Sequence, residues 1–388
     1  MSRFLSLLLA SLLALPIHAQ TLTGFARFPA NSFVPGPTSG QKIEVKDGLV
    51  QLPFANSQPV QGFSSLWRMS KNEFLALEDN GFGAKGNSDD FLLRVVRLRT
   101  DFKTRKGGTG RVQVLSSVEL SDPKKLITWP LVREDRRLTG ADLDPESLVV
   151  MPDKTWWMGD EFGPFLLHFN VKGELLDTPF ALNGVASPDD PLKRPANTKS
   201  SRGFEGLGLW PNKLFLFALL EGAVDGQDPN QLSLHQFDLN DVDTTFHTFP
   251  DWAKPQFYPL EPVAAGDKPH SIGECICIGY GRFLVNERDS TEGETAQFKR
   301  VYLWNQNDNS KTLVADLINI RDPDKLGPSQ NGVYRMQFQT IESVVMLDTR
   351  HLLLCNDNNY PFGRGRDKNQ IEDTEFVVIE LDKPLQTR

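Results

Sequence analysis

Glutamate and aspartate residues recur at matched places in five similar stretches of the sequence. Each stretch is an apolar run, a short polar turn, a second apolar run and then acidic residues, a pattern typical of a tight β-hairpin. Because the start of one hairpin strand lies beside the end of the other, we expect acids from both ends of each hairpin to meet. The stretches are GFSSLWRMSKNEFLALEDNG (62–81), DPESLVVMPDKTWWMGDEFG (144–163), GFEGLGLWPNKLFLFALLEG (203–222), IGECICIGYGRFLVNERDS (272–290) and TIESVVMLDTRHLLLCNDNN (340–359).

A ring of such carboxylates is electrostatically unfavourable by itself. Two like charges roughly 4 Å apart repel by about 4 kcal/mol at an effective dielectric constant near 20. Some carboxyls must therefore hold a proton, pair with a basic side chain or bind a metal. Oxygen ligands in this number suit Ca²⁺, which takes about 6–8 of them, with Mg²⁺ as the alternative. The predicted metal ligands are Asp79, Asp160, Glu161, Glu221, Glu274, Glu287, Glu342 and Asp357.

Two more glutamates and three arginines complete the predicted site. Glu205 and Glu146 each begin a hairpin and are the predicted catalytic residues, one of them acting as general base. Their order of importance is left open. Arg288, Arg202 and Arg364 are predicted to bind an anionic substrate through paired hydrogen bonds. For any single glutamate a structural role stays open, because a carboxylate also accepts hydrogen bonds from nearby backbone amides.

The repeated hairpins predict the architecture that would position these side chains. Units of three or four strands cannot bury their faces alone, and stacked radially they make a β-propeller. We therefore expect an all-β chain folded as a single β-propeller of about six blades, with five or seven as alternatives. The N-terminal run KIEVKDGLVQLPF is the candidate for a sixth unit, and long loops at 183–202 and 251–271 are expected to cover one face.

The first 19 residues have the pattern of a secretory signal peptide. One arginine precedes an apolar run that ends at a small residue, which predicts cleavage after Ala19 and a periplasmic or secreted protein. The run is too short for a membrane span, which needs about 20 residues. Residues 20–388 would then form one domain, expected to be a monomer. The formal net charge of −8 disfavours nucleic-acid binding.

The motifs together resemble the phytase-like family, also described as esterase-like activity of phytase, over roughly residues 60–382. The matching segments are GFSSL with LEDNGFG, DPESL with WWMGDEFGP, GFEGLGL, LVNERDS and CNDNNYPFG. The resemblance implies a propeller-like fold and an esterase-type activity. The chain departs from the family pattern at Ser147 and Cys275, where glycine commonly follows the glutamate. The site residues that the resemblance implies are Asp79, Glu146, Asp160, Glu161, Glu205, Glu274, Glu287, Arg288 and Asp357.

These observations predict an exported, metal-assisted hydrolase of small-molecule esters, with phosphoesters as the first choice of substrate. Two alternatives stay open, because a fold by itself does not decide function. One is a calcium-dependent lactonase or arylesterase. The other is a non-catalytic propeller that binds a sugar, a peptide or a protein partner.

Overall fold

The computed structural model describes residues 20–239 and 256–387, and the predicted signal peptide at 1–19 lies outside them. The described chain is built from β-strands and a single short 3₁₀ helix, Gly293–Thr295, which confirms the all-β prediction. The strands are β1 (Thr21–Phe28), β2 (Phe33–Pro35), β3 (Ser57–Pro59), β4 (Phe63–Arg68), β5 (Glu73–Glu78), β6 (Arg94–Asp101), β7 (Arg111–Glu119), β8 (Pro145–Val150), β9 (Trp156–Asp160), β10 (Phe165–Phe169), β11 (Phe180–Ala181), β12 (Phe204–Leu209), β13 (Phe215–Leu220), β14 (Gln231–Asp238), β15 (Gln256–Pro259), β16 (Ser271–Gly279), β17 (Arg282–Arg288), β18 (Lys299–Asn305), β19 (Ser310–Asp316), β20 (Ile320–Arg321), β21 (Val333–Tyr334), β22 (Ser343–Met346), β23 (His351–Cys355) and β24 (Thr374–Glu380).

Most strands belong to four-stranded antiparallel groups in which, with the exception of β1, neighbours in the chain are neighbours in the sheet. Three groups are β8 to β11, β12 to β15 and β16 to β19. Two more lie within one ten-stranded sheet, as β4 to β7 and as β22, β23, β24 and β1. A single parallel pair, Arg27 with Arg111, joins these two. The N-terminal strand β1 pairs with β24 along its whole length, so it completes the last group.

Two sequence expectations about the loops differ from the structure. The run at 42–54 forms turns, bends and one isolated bridge, that of Phe54 with Ser39, and contributes no strand to a further group. The expected loop 251–271 contains strand β15, and its first residues, 251–255, lie outside the described chain. The loop at 183–202 packs beside the end of β9, where the hydroxyl of Ser187 donates to the carbonyl of Phe162 over 2.6 Å.

The second strand of a hairpin is buried on both faces, because a neighbouring group packs on each side. In β9 and β13 nearly every residue is buried, which explains why these strands are continuous apolar runs without alternation. Aromatic contacts join the groups. Phe217 of β13 and Phe283 of β17, for example, meet edge to face with ring centroids 5.4 Å apart. Each such buried side chain contributes about 1.5–3 kcal/mol.

The first strands of the five groups form a closed ring around a central channel. β4 contacts β8, β8 contacts β12, β12 contacts β16, β16 contacts β22, and β22 contacts β4 again. The first residues of these strands gather at one end, called here the acidic end. Their last residues line a cavity at the other end, called here the turn end. Among the described residues, no helix has the length and apolar character needed to cross a membrane.

Candidate functional site

A β-bulge near the start of a hairpin sets the direction of the acidic side chain there. In β4, β8 and β12 the pairing register skips one residue, which leaves Ser64, Glu146 and Glu205 outside the ladder. In β16 the skipped residue is Gly273, and Glu274 is a paired residue. Glu274 therefore does not share the structural position of Glu146 and Glu205, although the sequence motifs align them.

Close packing explains why the fourth bulge carries glycine. A Cβ atom at Gly273 would lie 2.1 Å from the carbonyl oxygen of Ile341 and 2.7 Å from Oε2 of Glu342. Both distances are far inside van der Waals contact. The missing side chain thus leaves room for the carboxylate of Glu342 at the acidic end.

Adjacent acids at the end of a hairpin have different surroundings, because successive strand residues face opposite sides. Glu78 and Asp160 are the last paired residues of their strands. Glu78 accepts a hydrogen bond from Nε of Arg94 over 2.8 Å. Asp160 accepts the backbone N–H groups of Asp144 and Gly163, each over 2.8 Å. These acids are bound within the hairpins rather than in the channel.

Glu287 is engaged in the same way. It accepts hydrogen bonds from Nζ of Lys311 over 2.6 Å and from the hydroxyl of Tyr258 over 2.9 Å. Two of the sequence-predicted ligands, Asp160 and Glu287, thus accept hydrogen bonds from protein donors, and for Glu287 one donor, Tyr258, lies in the neighbouring four-stranded group.

The residues that follow the last paired position of two hairpins, Glu161 and Glu221, reach the acidic end and join acids from the hairpin starts in a carboxylate cluster. Single oxygens of Asp144, Glu146 and Glu161 lie within 4.8 Å of one another, and so do oxygens of Glu161, Glu205 and Glu221. Glu146 is half-buried and the others are buried. Glu161 belongs to both groups of three, so they form one continuous cluster, called here the acidic cluster.

Burial and mutual repulsion raise the pKa values of carboxyls in this cluster. Burial, followed by the charges of Glu342 and Glu161, raises the pKa of Glu205 well above its ordinary range. Burial and the charge of Asp144 do the same to the pKa values of Glu161 and Glu146. A cation at the cluster would favour the ionised forms of these carboxyls and displace their protons.

Two buried oxygens at the acidic end receive no hydrogen bond from the described residues. They are Oε1 of Glu161 and Oε2 of Glu342, and each of these residues is only 4% exposed. A buried acceptor without a partner costs about 1–3 kcal/mol, and a charged one costs more. The donor set is all oxygen, which fits Ca²⁺ or Mg²⁺ rather than Zn²⁺ with its nitrogen and sulfur ligands. The residues present therefore fit a bound hard cation.

Two of the three predicted arginines contact this end of the molecule. Nη2 of Arg288 lies 3.0 Å from Oε1 of Glu342 and 3.3 Å from Oε1 of Glu221. Arg202 pairs with the same Glu221 and remains 38% exposed. The buried guanidinium offsets part of the acidic charge, whereas the exposed one is accessible to a ligand.

The remaining predicted residues border the cluster or lie apart from it. Asp79 is close enough to Asp357 and Asp144 for their charges, after burial, to raise its pKa. Burial and the charge of a neighbouring glutamate raise the pKa of Asp357 to about 7. Glu274 binds the hydroxyl of a serine deeper in the channel. Arg364 binds a loop carboxylate, that of Asp47, over 2.6 Å.

Sequence reasoning missed Asp144. This buried residue accepts hydrogen bonds from the backbone N–H and from Nδ2 of Asn80, over 3.2 and 2.8 Å, which hold its side chain beside Glu146. The signal was present in the DPES motif, where an acid stands two positions before the glutamate.

A cavity of about 560 Å³ opens beside the acidic cluster and is lined by Glu221, a member of the cluster, and by its ion-pair partner Arg202. Lys199, Lys268 and His270 also line this cavity. Asp225 is a further acidic residue of the lining, so basic side chains outnumber acidic ones in this cavity, called here the basic cavity. It leads to a carboxylate-rich interior, an arrangement that can bind an anionic group next to a metal site.

Fold and site together define an all-β, propeller-like protein with a buried acidic centre. The family model described as Phytase-like, esterase-like activity of phytase, matches residues 58–360. The chain belongs to this family.

Comparison with individual proteins gives low sequence identity and partial coverage. An uncharacterized secreted protein of Arthroderma benhamiae is 26% identical over 188 residues, which are 40% of this chain and 36% of that protein. The chain therefore spans only about a third of the length of that relative.

Solved structures are similar at low identity. A glycosyl hydrolase from Bacteroides ovatus matches over 95% of this chain and 99% of its own, with 14% identity and a TM-score of 0.43. The PQQ-bound aldose sugar dehydrogenase from Streptomyces coelicolor matches over 95% and 100%, with 12% identity and a TM-score of 0.35. TM-scores this low carry no argument about activity.

Proposed function

We propose that this chain is an exported, metal-dependent ester hydrolase that acts at the acidic cluster, with phosphoesters as substrates. Two observations carry the proposal. Two sets of three acidic residues share Glu161, and a buried oxygen of Glu161 receives no hydrogen bond from the described residues. Membership of the phytase-like family supports a hydrolase-type function. The secreted relative and the predicted signal peptide support export.

Ca²⁺ is the proposed cation, with Mg²⁺ as the alternative. Glu161, Glu205 and Glu221 would hold one ion, and Glu161 with Asp144 and Glu146 would hold another. A bound Ca²⁺ supplies a fixed positive charge that polarises an ester or phosphoryl oxygen. Asp79, Glu342 and Asp357 surround these groups and add negative charge that favours a cation.

Glu205 is the proposed general base, and Glu146 is the alternative. With a cation bound, Glu205 would be ionised, and its oxygen not bound to the cation would accept the proton of an attacking water. Arg288 holds Glu221 and Glu342 in place. Arg202, at the border of the basic cavity, is proposed to bind the anionic group of the substrate.

The proposal also includes the number of blades and the extent of the domain. We take each four-stranded group as one blade of a five-bladed propeller, because the five first strands already close a ring. In this proposal residues 20–388 form one mature, monomeric domain in the periplasm or outside the cell.

Hydrolysis assays test the proposed function. Chelator-treated protein is given nitrophenyl phosphate, nitrophenyl acetate or a lactone, with and without Ca²⁺. We expect Ca²⁺-dependent release of nitrophenol from the phosphoester, and loss of that turnover by about tenfold or more in Glu205→Gln. The exposed Glu44→Gln serves as the matched control and should act like the wild type.

The other outcomes discriminate between the alternatives. Turnover of the lactone or the acetate alone would favour a lactonase or arylesterase. No turnover on any substrate would favour a binding module. Phosphoester turnover that is unchanged by chelator and by added Ca²⁺ would contradict the role assigned to the acidic cluster.

A further inference from the structure

A second cavity lies at the turn end of the ring, away from the acidic cluster. Its volume is about 330 Å³, within the range of roughly 300–1,000 Å³ typical of ligand pockets. Every first strand of a group contributes an apolar side chain to its wall. Examples are Trp67, Leu148, Leu209, Ile276 and Met346.

The inner end of this cavity has one polar pair, and it is already satisfied. Oε2 of Glu274 accepts the hydroxyl of Ser65 over 3.1 Å, and Oε1 accepts the backbone N–H of Cys275 over 3.0 Å. An anionic group placed there would meet a carboxyl whose two oxygens are in use. The inner part of the cavity therefore suits the apolar part of a ligand.

The opening of the cavity has the opposite character. Arg68 and Lys213 line it, although the chain as a whole is acidic. Lys213 is exposed in the turn between β12 and β13. Exposed apolar side chains stand in the same set of turns: Met69, Leu214 and Tyr280 are 48%, 40% and 62% exposed. Basic and apolar groups together are the surroundings that an anionic amphiphile requires.

We propose that the turn-end cavity binds one single-chain anionic amphiphile, such as a fatty acid, with its alkyl chain inside and its carboxylate at Arg68 and Lys213. The volume is at the low end for ligand pockets, which suits one chain rather than the two chains of a membrane lipid. The complementary charges fix its direction, because the cations stand at the opening and Glu274 at the inner end. This site is independent of the proposed ester hydrolysis.

Calorimetric titration of the full chain with dodecanoate, kept below its micelle-forming concentration, tests the proposal. We expect saturation at one molecule per chain. Dodecyltrimethylammonium has the same tail and a cationic head, and it should bind more weakly. Equal affinity for the two amphiphiles, or no saturation, would overturn the proposal.

Two lysines in equivalent turns provide a matched pair of variants. Lys213 and Lys154 occupy the same place in neighbouring hairpin turns, with φ angles of 62° and 74°, and only Lys213 lines the cavity. Asparagine tolerates this left-handed conformation. Lys213→Asn should weaken dodecanoate binding by about two- to fivefold, the effect of one exposed ion pair, and Lys154→Asn should leave it unchanged. The same loss in both variants would contradict the proposed head-group position.

A third variant fills the cavity. Leu209 is half-buried in its wall, and Leu209→Trp should abolish dodecanoate binding while the melting temperature and ester turnover stay as in the wild type. Undiminished binding by this variant would refute the assignment of the cavity. Should it fail to fold, the lysine pair and the head-group comparison still decide. Binding seen only with phosphatidylglycerol vesicles would also overturn the proposal, in favour of a membrane surface.

Discussion

Replacing Glu274 by glutamine should remove a large part of the pH dependence of stability. Glu274 is 3% exposed, and burial raises its pKa from 4.5 to about 8, against hydrogen bonds from Cys275 and Ser65 that lower it. In the unfolded chain the same carboxyl ionises near its ordinary pKa of 4.5. Its stabilising contribution is therefore fully present below pH 4.5 and is lost as the pH rises towards 8.

The size of the effect follows from the width of that window. Each pH unit between the two pKa values changes the free energy of unfolding by about 1.4 kcal/mol. Between roughly pH 5 and pH 7.5 the wild type should therefore lose about 3 kcal/mol through this group. Glutamine keeps the shape and an accepting oxygen but does not titrate. The two proteins should be similarly stable near pH 5, and Glu274→Gln should be the more stable near pH 7.5.

Urea unfolding at a series of pH values in the presence of chelator measures this difference. Subtracting the wild-type free energy from that of Glu274→Gln cancels the titration of all other groups. The exposed Glu44→Gln is the control and should give a flat difference. A difference for Glu274→Gln that varies by less than about 0.5 kcal/mol across the range would refute the reasoning, because the carboxyl would then be ionised in the folded protein.

Three further predictions concern the metal, a buried ion pair and a buried histidine. Ca²⁺ at about 100 times its dissociation constant should stabilise the chelator-treated protein by about 2.7 kcal/mol. An unchanged melting temperature would mean that protons, Arg288 and Arg202 neutralise the acidic cluster. Arg94→Ala should lower the free energy of unfolding in urea by about 3–5 kcal/mol, because it leaves Glu78 buried without its ion-pair partner. The double variant Arg94→Ala with Glu78→Gln should recover part of that loss. Equal losses in the single and the double variant would contradict the role of the ion pair. Burial lowers the pKa of His235 to about 4, so the contribution of this side chain to folding stability is full above pH 6.5 and is lost as the pH falls towards 4. The stability of His235→Gln should therefore fall less in acid than that of the wild type. Identical profiles of stability against pH for the two proteins would show that His235 does not cause the loss.

The hairpins could be predicted from the sequence because their signal is local. Two apolar runs on either side of a short polar turn become β8 and β9, or β12 and β13, and the all-β prediction is confirmed. The completion of the last four-stranded group could not be predicted in this way. It depends on β1 pairing with β24, as in the pair of Thr21 with Glu380, and no local pattern reports a contact between the two ends of a chain.

The site was only partly predictable, because a shift of one residue turns a side chain to the other face of a strand. Glu161 belongs to the acidic cluster, whereas Asp160, its neighbour, is bound by backbone amides. Both residues are acidic, and they are one position apart at the end of the strand, so their side chains face opposite sides. Glu274 shows the same limit, since its motif resembles that of Glu205 while the bulge falls one residue earlier.

Hydrogen bonds of Asp160 and Asp144 also explain how a cluster of like charges can be held together. Asp160 binds the backbone N–H of Asp144 over 2.8 Å, and Asp144 is in turn bound by the side chain of Asn80 over 2.8 Å. The backbone at the start of β8 is thus anchored by groups that do not need a metal. Repulsion within the acidic cluster can therefore shift protons between Glu146, Glu161 and Asp144 without separating the strands that carry them. Such a framework holds the backbone and the carboxylate of Asp144 in place, so a cation bound as proposed would not have to order that side chain.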